Sequence, residues 1–339
     1  MKAIYSLFLV FALVLVALLG AGAGGMHYLF GVIIPYVAVV LFVVGFVLRV
    51  IRWGKSPVPF RIPTTCGQEF SLPWIKQNKI DNPSTTWGVI LRMFFEVVLF
   101  RSLFRNTKVE LHDGPKLAYA SNKWLWLFAL LFHYSFLTIF LRHMRFFTEP
   151  VPGFFQMLDS IDGMLQIGAP TLYLTDVVIV VAVTYLFMRR VVNPQVRYVS
   201  LPADYFPLFL ILGIVLSGIF MRYFIKTDIV AVKELTMGLV TFNPKVPEGV
   251  GTIFYIHVFL VSVLLIYFPL SKLMHMGGVF LSPTRNLANN SRMKTHVNPW
   301  NYPVKIHTYE AYEDEFRERM VEAGLPVEKP LEQPVENKE

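Results

Sequence analysis

Residues 130–147, LLFHYSFLTIFLRHMRFF, place two histidines, His133 and His143, in an apolar run with no other ionisable group before Arg142 except the phenol of Tyr134. Imidazole is costly in hydrocarbon, so two of them in one run point to function. Residues 253–275, IFYIHVFLVSVLLIYFPLSKLMH, repeat the pattern with His257 and His275. Neutral imidazole is a good axial ligand of haem iron, and the four histidines read as holding two haems stacked across a bilayer.

The remaining composition agrees. The chain has 339 residues, 55% hydrophobic, with 30 Phe and a mean hydropathy of +0.52. Several apolar runs reach the roughly 20 residues a membrane crossing needs, and helix is the form that satisfies every backbone group in lipid. Six spans are predicted, at 3–22, 28–50, 124–145, 167–188, 205–225 and 252–274. The fold class is an all-α integral membrane protein, a bundle of six transmembrane helices.

Charge sets the orientation. Segment 53–123 holds ten Lys/Arg against five acids, and Arg189, Arg190 and Arg197 follow the fourth span, so both read as cytoplasmic. The loop after Arg145 carries Glu149, Asp159 and Asp162 and reads as outer, leaving both termini inside. Lys2, the first apolar run and Ala21-Gly22-Ala23-Gly24-Gly25 also resemble a signal peptide, whose cleavage would leave five spans in the same orientation. The net charge of +8 lies largely beside the spans, so it reports topology and not nucleic-acid binding. One cysteine, Cys66, supplies neither a disulfide nor a multi-cysteine cluster, and CxxCH is absent from the sequence.

The directions of the spans order the histidines. His143 lies about 15 Å beyond His133 toward the outer surface, while the last span runs back from His257 outside to His275 inside. This pairs His143 with His257 around an outer haem and His133 with His275 around an inner one. Eighteen residues are five helical turns, so His257 and His275 share a face, whereas ten residues leave His133 and His143 about 80° apart. The competing readings are satisfied bundle histidines, snorkelling residues near Arg142, Arg145 and Lys272, a proton-coupled transporter or channel, and a haem-free anchor. The lack of carboxylates in the set disfavours a di-iron centre.

Across 120–276 the two histidine motifs resemble the respiratory nitrate reductase gamma-subunit family of membrane dihaem cytochromes b. The resemblance implies a five-helix core plus an extra amino-terminal helix (1–25), a second span (26–52), a cytoplasmic segment (53–123), a dihaem-binding four-helix region (124–276) and a cytoplasmic tail (277–339). Within it the chain is similar to the DsrM type of the sulfite-reduction-associated DsrMKJOP complex, through that extra span, RIPTTCGQEFSLPWIKQNKIDNP and the long tail. Such a protein sits in the inner membrane, binds two haem b, takes electrons from menaquinol and passes them to a cytoplasmic iron–sulfur subunit (DsrK-like). Further membrane and periplasmic subunits (DsrJ-, DsrO- and DsrP-like) and a role in sulfur metabolism follow from the same likeness. A related redox complex of sulfate reducers would share these features.

A quinol site is expected at the outer ends of spans three and six. Arg142 and Arg145 are its candidate contacts to haem propionates or a quinone oxygen, and Glu149 and Asp228 its candidate proton relay. Partner docking is expected inside. There WGVILRMFFEVVLFRSLF allows an Arg92–Glu96 pair while Arg101 and Arg105 face nearly the opposite side. The tail offers a helix at 308–323 and an extended Pro/Glu-rich end. Cys66 reads as structural, His27 as interfacial, and His296 and His307 as outside the haem set.

Overall fold

The computed structural model describes residues 2–58, 61–62, 64, 66–112, 116–166, 170–292 and 306–330. Five helices among them are long and apolar enough to cross a membrane: Lys2–Ala23, Leu29–Gly54, Lys123–Phe146, Pro202–Ile225 and Thr252–Leu270. Their outward faces carry large apolar side chains, among them Phe8, Val40 and Leu48, each more than half exposed. In water such surface would be untenable; in lipid it is the solvated face.

The remaining expected span differs from the other five. Its apolar run forms the helix Leu174–Val192, with Asp176 in the first turn and Arg189 and Arg190 in the last. These charges cut into the apolar length, so by composition five crossings stand where six were expected. Its start also lies later than 167, because Gly163–Leu165 and Leu172–Tyr173 pair antiparallel ahead of it, Gly163 opposite Tyr173. Residues 167–169 lie outside the described residues.

Packing joins these helices into one bundle. Ile179 and Val183 of Leu174–Val192 are buried with Ile211, against Phe132 and Ile139. Val10 of the first helix is buried with Phe206, Leu210 and Leu260. A third cluster, with Ala17, Ala21, Phe30, Leu235 and Tyr255, ties the turn between the first two helices to the last one. Gly25 makes that turn at φ +62. A Cβ on Gly20 would fall 2.4 Å from Phe30 Cε2, so the glycine patch provides both the turn and the close approach.

The cytoplasmic-side expectations need two corrections. Arg92 and Glu96 do not pair. Phe100 enters the left-handed region at φ 49 and breaks the run into Thr86–Leu99 and Arg101–Arg105. The break brings Arg101 back onto Asp81, Nε to Oδ1 2.8 Å, with Arg105 on the same carboxylate. Arg92 donates instead to the Asp81 carbonyl, and Glu96 takes Arg285 at 2.8 Å. Arg61, 2% exposed, joins the same knot through Asn82 Oδ1 at 2.7 Å and Thr284 O at 3.1 Å. Residues 282–289 thus pack on 61–105 and belong to the compact unit that runs to Lys294.

The second correction concerns the last span, which is not one continuous helix to 274. It ends at Tyr267 and passes through a single tight turn, Phe268–Leu270. Pro269 lacks the N–H that would continue the helix. Ser271 then starts a new turn, its Oγ accepting from Leu273 N at 3.2 Å, and His275 follows. The five-turn argument for a shared face therefore does not apply to His257 and His275.

The second unit, Thr295–Glu339, contains the helix Tyr309–Glu322, close to the expected 308–323. Thr308 caps it, Oγ1 accepting from Ala311 N at 3.3 Å. Glu313 accepts from Glu328 N at 2.7 Å and Lys329 N at 2.9 Å, and these donors, with Arg317, pull its carboxyl down to about 2. The Pro/Glu-rich end from 331 and His296 lie outside the described residues.

Candidate functional site

The four span histidines meet as two pairs. His143 and His257 have ring centroids 6.3 Å apart and planes 9° from parallel. His133 and His275 have centroids 5.9 Å apart and planes at 85°. The turn after Pro269 is what carries His275 to His133. Among the described residues no group of three or more His, Cys, Asp or Glu is placed to hold a metal ion.

Each imidazole is engaged through Nδ1. His133 Nδ1 lies 2.7 Å from Ala129 O, His143 Nδ1 2.7 Å from Ile139 O, and His275 Nδ1 2.9 Å from Lys272 O. A carbonyl can only accept, so the proton of these rings sits on Nδ1. His257 Nδ1 lies 2.9 Å from Ser217 Oγ, whose own proton goes to Ile214 O at 2.8 Å; the serine is therefore the acceptor here too. In all four rings Nε2 keeps its lone pair for a ligand bond. Two imidazoles bound to one ion at about 2 Å each have ring centres about 6 Å apart, which both pairs match. The residues fit bis-histidine haem.

The end of the bundle beside His143 is built from charge. Arg142 is 7% exposed, with Nη1 2.7 Å from Asp162 Oδ2 and Nη2 3.4 Å from Asp176 Oδ1. Its guanidinium lies 3.6 Å from the Tyr173 ring centroid, and that of Arg222 lies 4.0 Å from the same ring. Arg142 Nε is buried without a hydrogen-bond partner among the described residues. Arg145 Nη1 and Tyr173 Oη both bind Asp159 Oδ1, at 3.1 Å and 2.6 Å. Glu149 pairs with Lys233. Asp228 caps Ile229–Val240, its Oδ1 accepting from Val230 N at 2.9 Å and Ala231 N at 3.2 Å.

Sequence reasoning left Asp159, Asp162, Tyr173, Asp176, Ser217 and Arg222 out of the site. Asp176 alone carried a signal, a carboxylate at the mouth of an apolar run. Elsewhere His27 stacks on Tyr255 at 4.8 Å, and His307 Nδ1 lies 3.9 Å from Glu315 within the second unit. Cys66 Sγ accepts from Thr64 Oγ1 at 2.8 Å and from Arg61 Nη2 at 3.3 Å.

Membrane-spanning helices carrying paired, Nδ1-tethered histidines define a multi-pass membrane protein of the cytochrome b kind. Residues 93–291 match the nitrate reductase gamma subunit family, and the chain belongs to it. It is 47% identical over 279 residues to the Hdr-like menaquinol oxidoreductase cytochrome b-like subunit of Archaeoglobus fulgidus, covering 80% of this chain and 83% of that protein. The subunit of the same name from Archaeoglobus profundus is 43% identical over 274 residues, 79% and 81% of the two chains.

Proposed function

We propose that the chain is the membrane dihaem cytochrome b subunit of a menaquinol-dependent redox complex of sulfur metabolism. Menaquinol is oxidised on the outer side, and electrons leave inside to a DsrK-like iron–sulfur subunit. Both termini are cytoplasmic and the membrane is the cytoplasmic one. Leu174–Val192 serves as a sixth span: its 19 residues reach about 28 Å, and its charges sit in the end turns, where Asp176 is paired with Arg142. DsrJ-, DsrO- and DsrP-like subunits complete the assembly.

The observation that carries this reading is the Nδ1 hydrogen bond common to four histidines that meet two by two. Haem b, when bound, supplies one-electron redox chemistry at its iron. His143 and His257 hold the outer group and His133 and His275 the inner one. The Ser217 hydroxyl and three backbone carbonyls fix the rings. Arg142, with Nε buried and unpartnered, and Arg145 offer positive charge to a propionate or a quinone oxygen at the outer end. Glu149, exposed and paired with Lys233, and Asp228, next to Ile229, lead protons to outer solvent. Segment 53–123 and the tail after 277 face the iron–sulfur partner.

Haem quantitation and low-temperature spectra of the intact complex test the reading. Two low-spin b haems per chain are expected. A correctly assembled complex without haem overturns it and turns attention to proton-coupled transport or anchoring.

A further inference from the structure

Beside the His143/His257 pair lies a cavity of about 540 Å³, within the range of sites for small organic ligands. Phe146 forms part of its wall, and the Phe146 ring centroid is 6.0 Å from that of His143. One aromatic ring thus both lines the cavity and neighbours His143. Other walls come from Arg145, Asp159, Tyr173, Arg222 and Lys233. An aromatic wall together with such donors and one carboxylate suits a flat molecule that carries oxygens.

The carboxylate is the informative group. Both its bonds, from Tyr173 Oη and Arg145 Nη1, fall on Oδ1. Oδ2 has no hydrogen-bond partner among the described residues, and a third of the side chain is exposed. Glu149, in contrast, is taken by Lys233, and Asp228 caps a helix. Of Asp159, Glu149 and Asp228, Asp159 is the one that lines the cavity, and it offers an acceptor that is both held in place and open.

We propose that this cavity binds the hydroquinone head group and that Asp159 Oδ2 is its proton acceptor. The inference rests on the quinol-oxidising reading above. Oxidation breaks two O–H bonds and releases two protons and two electrons. A ferric haem held by His143 and His257 would be the one-electron acceptor for both electrons. The first proton passes to Asp159 and from there to outer solvent, after which the same carboxylate takes the second. Lys233 and Arg222 face the cavity as donors to the quinone oxygen formed.

Two variants of the intact complex test this, with a fluorescent hydroxyquinoline N-oxide as the quinol mimic. Ile229→Trp fills the cavity from a wall residue whose side chain is more than half exposed. It is expected to weaken binding of the mimic about tenfold or more, equivalent to about 1.4 kcal/mol, with haem content and spectra unchanged. Asp159→Asn keeps the shape and the bond from Tyr173. It should bind the mimic within about threefold of wild type while quinol-driven haem reduction slows about a hundredfold. If both variants bind and reduce like wild type, the cavity is not the site. If wild type binds haem but is not reduced by quinol, the quinol reading itself falls, and the two failures are told apart.

Discussion

Ser217 Oγ stands between His257 Nδ1, at 2.9 Å, and Ile214 O, at 2.8 Å, so a side chain does for His257 what backbone carbonyls do for the other three histidines. That makes His257 the one of the four whose side-chain orienting partner can be removed by substitution. Ser217→Ala removes the hydroxyl acceptor of Nδ1–H. Loss of such a partner typically costs about 10- to 100-fold in metal affinity. Titration of the haem-depleted protein with haem should show this weakening at the His143/His257 pair and unchanged affinity at the other. Equal affinity at both would show that the serine does not orient the ring.

The pairing itself is open to test by counting. Replacing His143 or His257 with Ala should remove one haem, and replacing His133 or His275 the other, so the two spectral components disappear two by two. The ring planes add a signature: 9° between His143 and His257 but 85° between His133 and His275. The crossed pair should give the more anisotropic low-spin paramagnetic signal, and His133→Ala should abolish that one. Retention of both haems in any of these variants, without a substitute ligand, would refute the assignment.

What could be read from sequence here was whatever depends on local spacing. Five apolar runs became helices of membrane length, and span direction alone put His143 with His257 and His133 with His275. The 80° offset between His133 and His143 calls for tilted or crossing helices if His275 sits on a continuous helix. Pro269 and Ser271 remove that requirement by re-aiming the chain after Tyr267. The proline was visible, but a proline near a helix end says where a helix stops and not where the next residues go. Contacts between distant segments were illegible for the same reason: nothing local links Asp81 to Arg101 and Arg105, or Ser217 to His257. Arg142 stood out beside His143, yet its carboxylates at 162 and 176 come from two other segments.

That buried triad has an energetic consequence. Arg142 balances Asp162 and Asp176, and Asp162 is held further by Thr175 N at 3.0 Å and Thr175 Oγ1 at 2.6 Å. Arg142→Met keeps volume but leaves two carboxylates without their counter-charge, a loss of about 3–5 kcal/mol for a buried pair broken on one side. Arg142→Lys keeps the charge but not the planar stack on Tyr173, and should recover only part. Thermal unfolding in detergent should rank wild type above Lys above Met. A Met variant as stable as wild type would mean that water reaches the site.

The thiol of Cys66 gives a pH-dependent test outside the membrane. Burial pushes it up. The Thr64 hydroxyl and the Arg61 and Arg92 guanidiniums outweigh that and hold it below the ordinary 9.0. Because the folded value is depressed, the stabilising contribution is complete above the unfolded value and fades as pH falls through the folded one. Alkylation by iodoacetamide should therefore reach half its limiting rate at lower pH than for a free cysteine peptide. Thr64→Val should move that midpoint back up. The stability lost in Cys66→Ser should grow as pH rises from the depressed folded value to the unfolded one. An alkylation profile that coincides with the free peptide would mean that burial of the sulfur cancels the pull of the Thr64 hydroxyl and the two arginines.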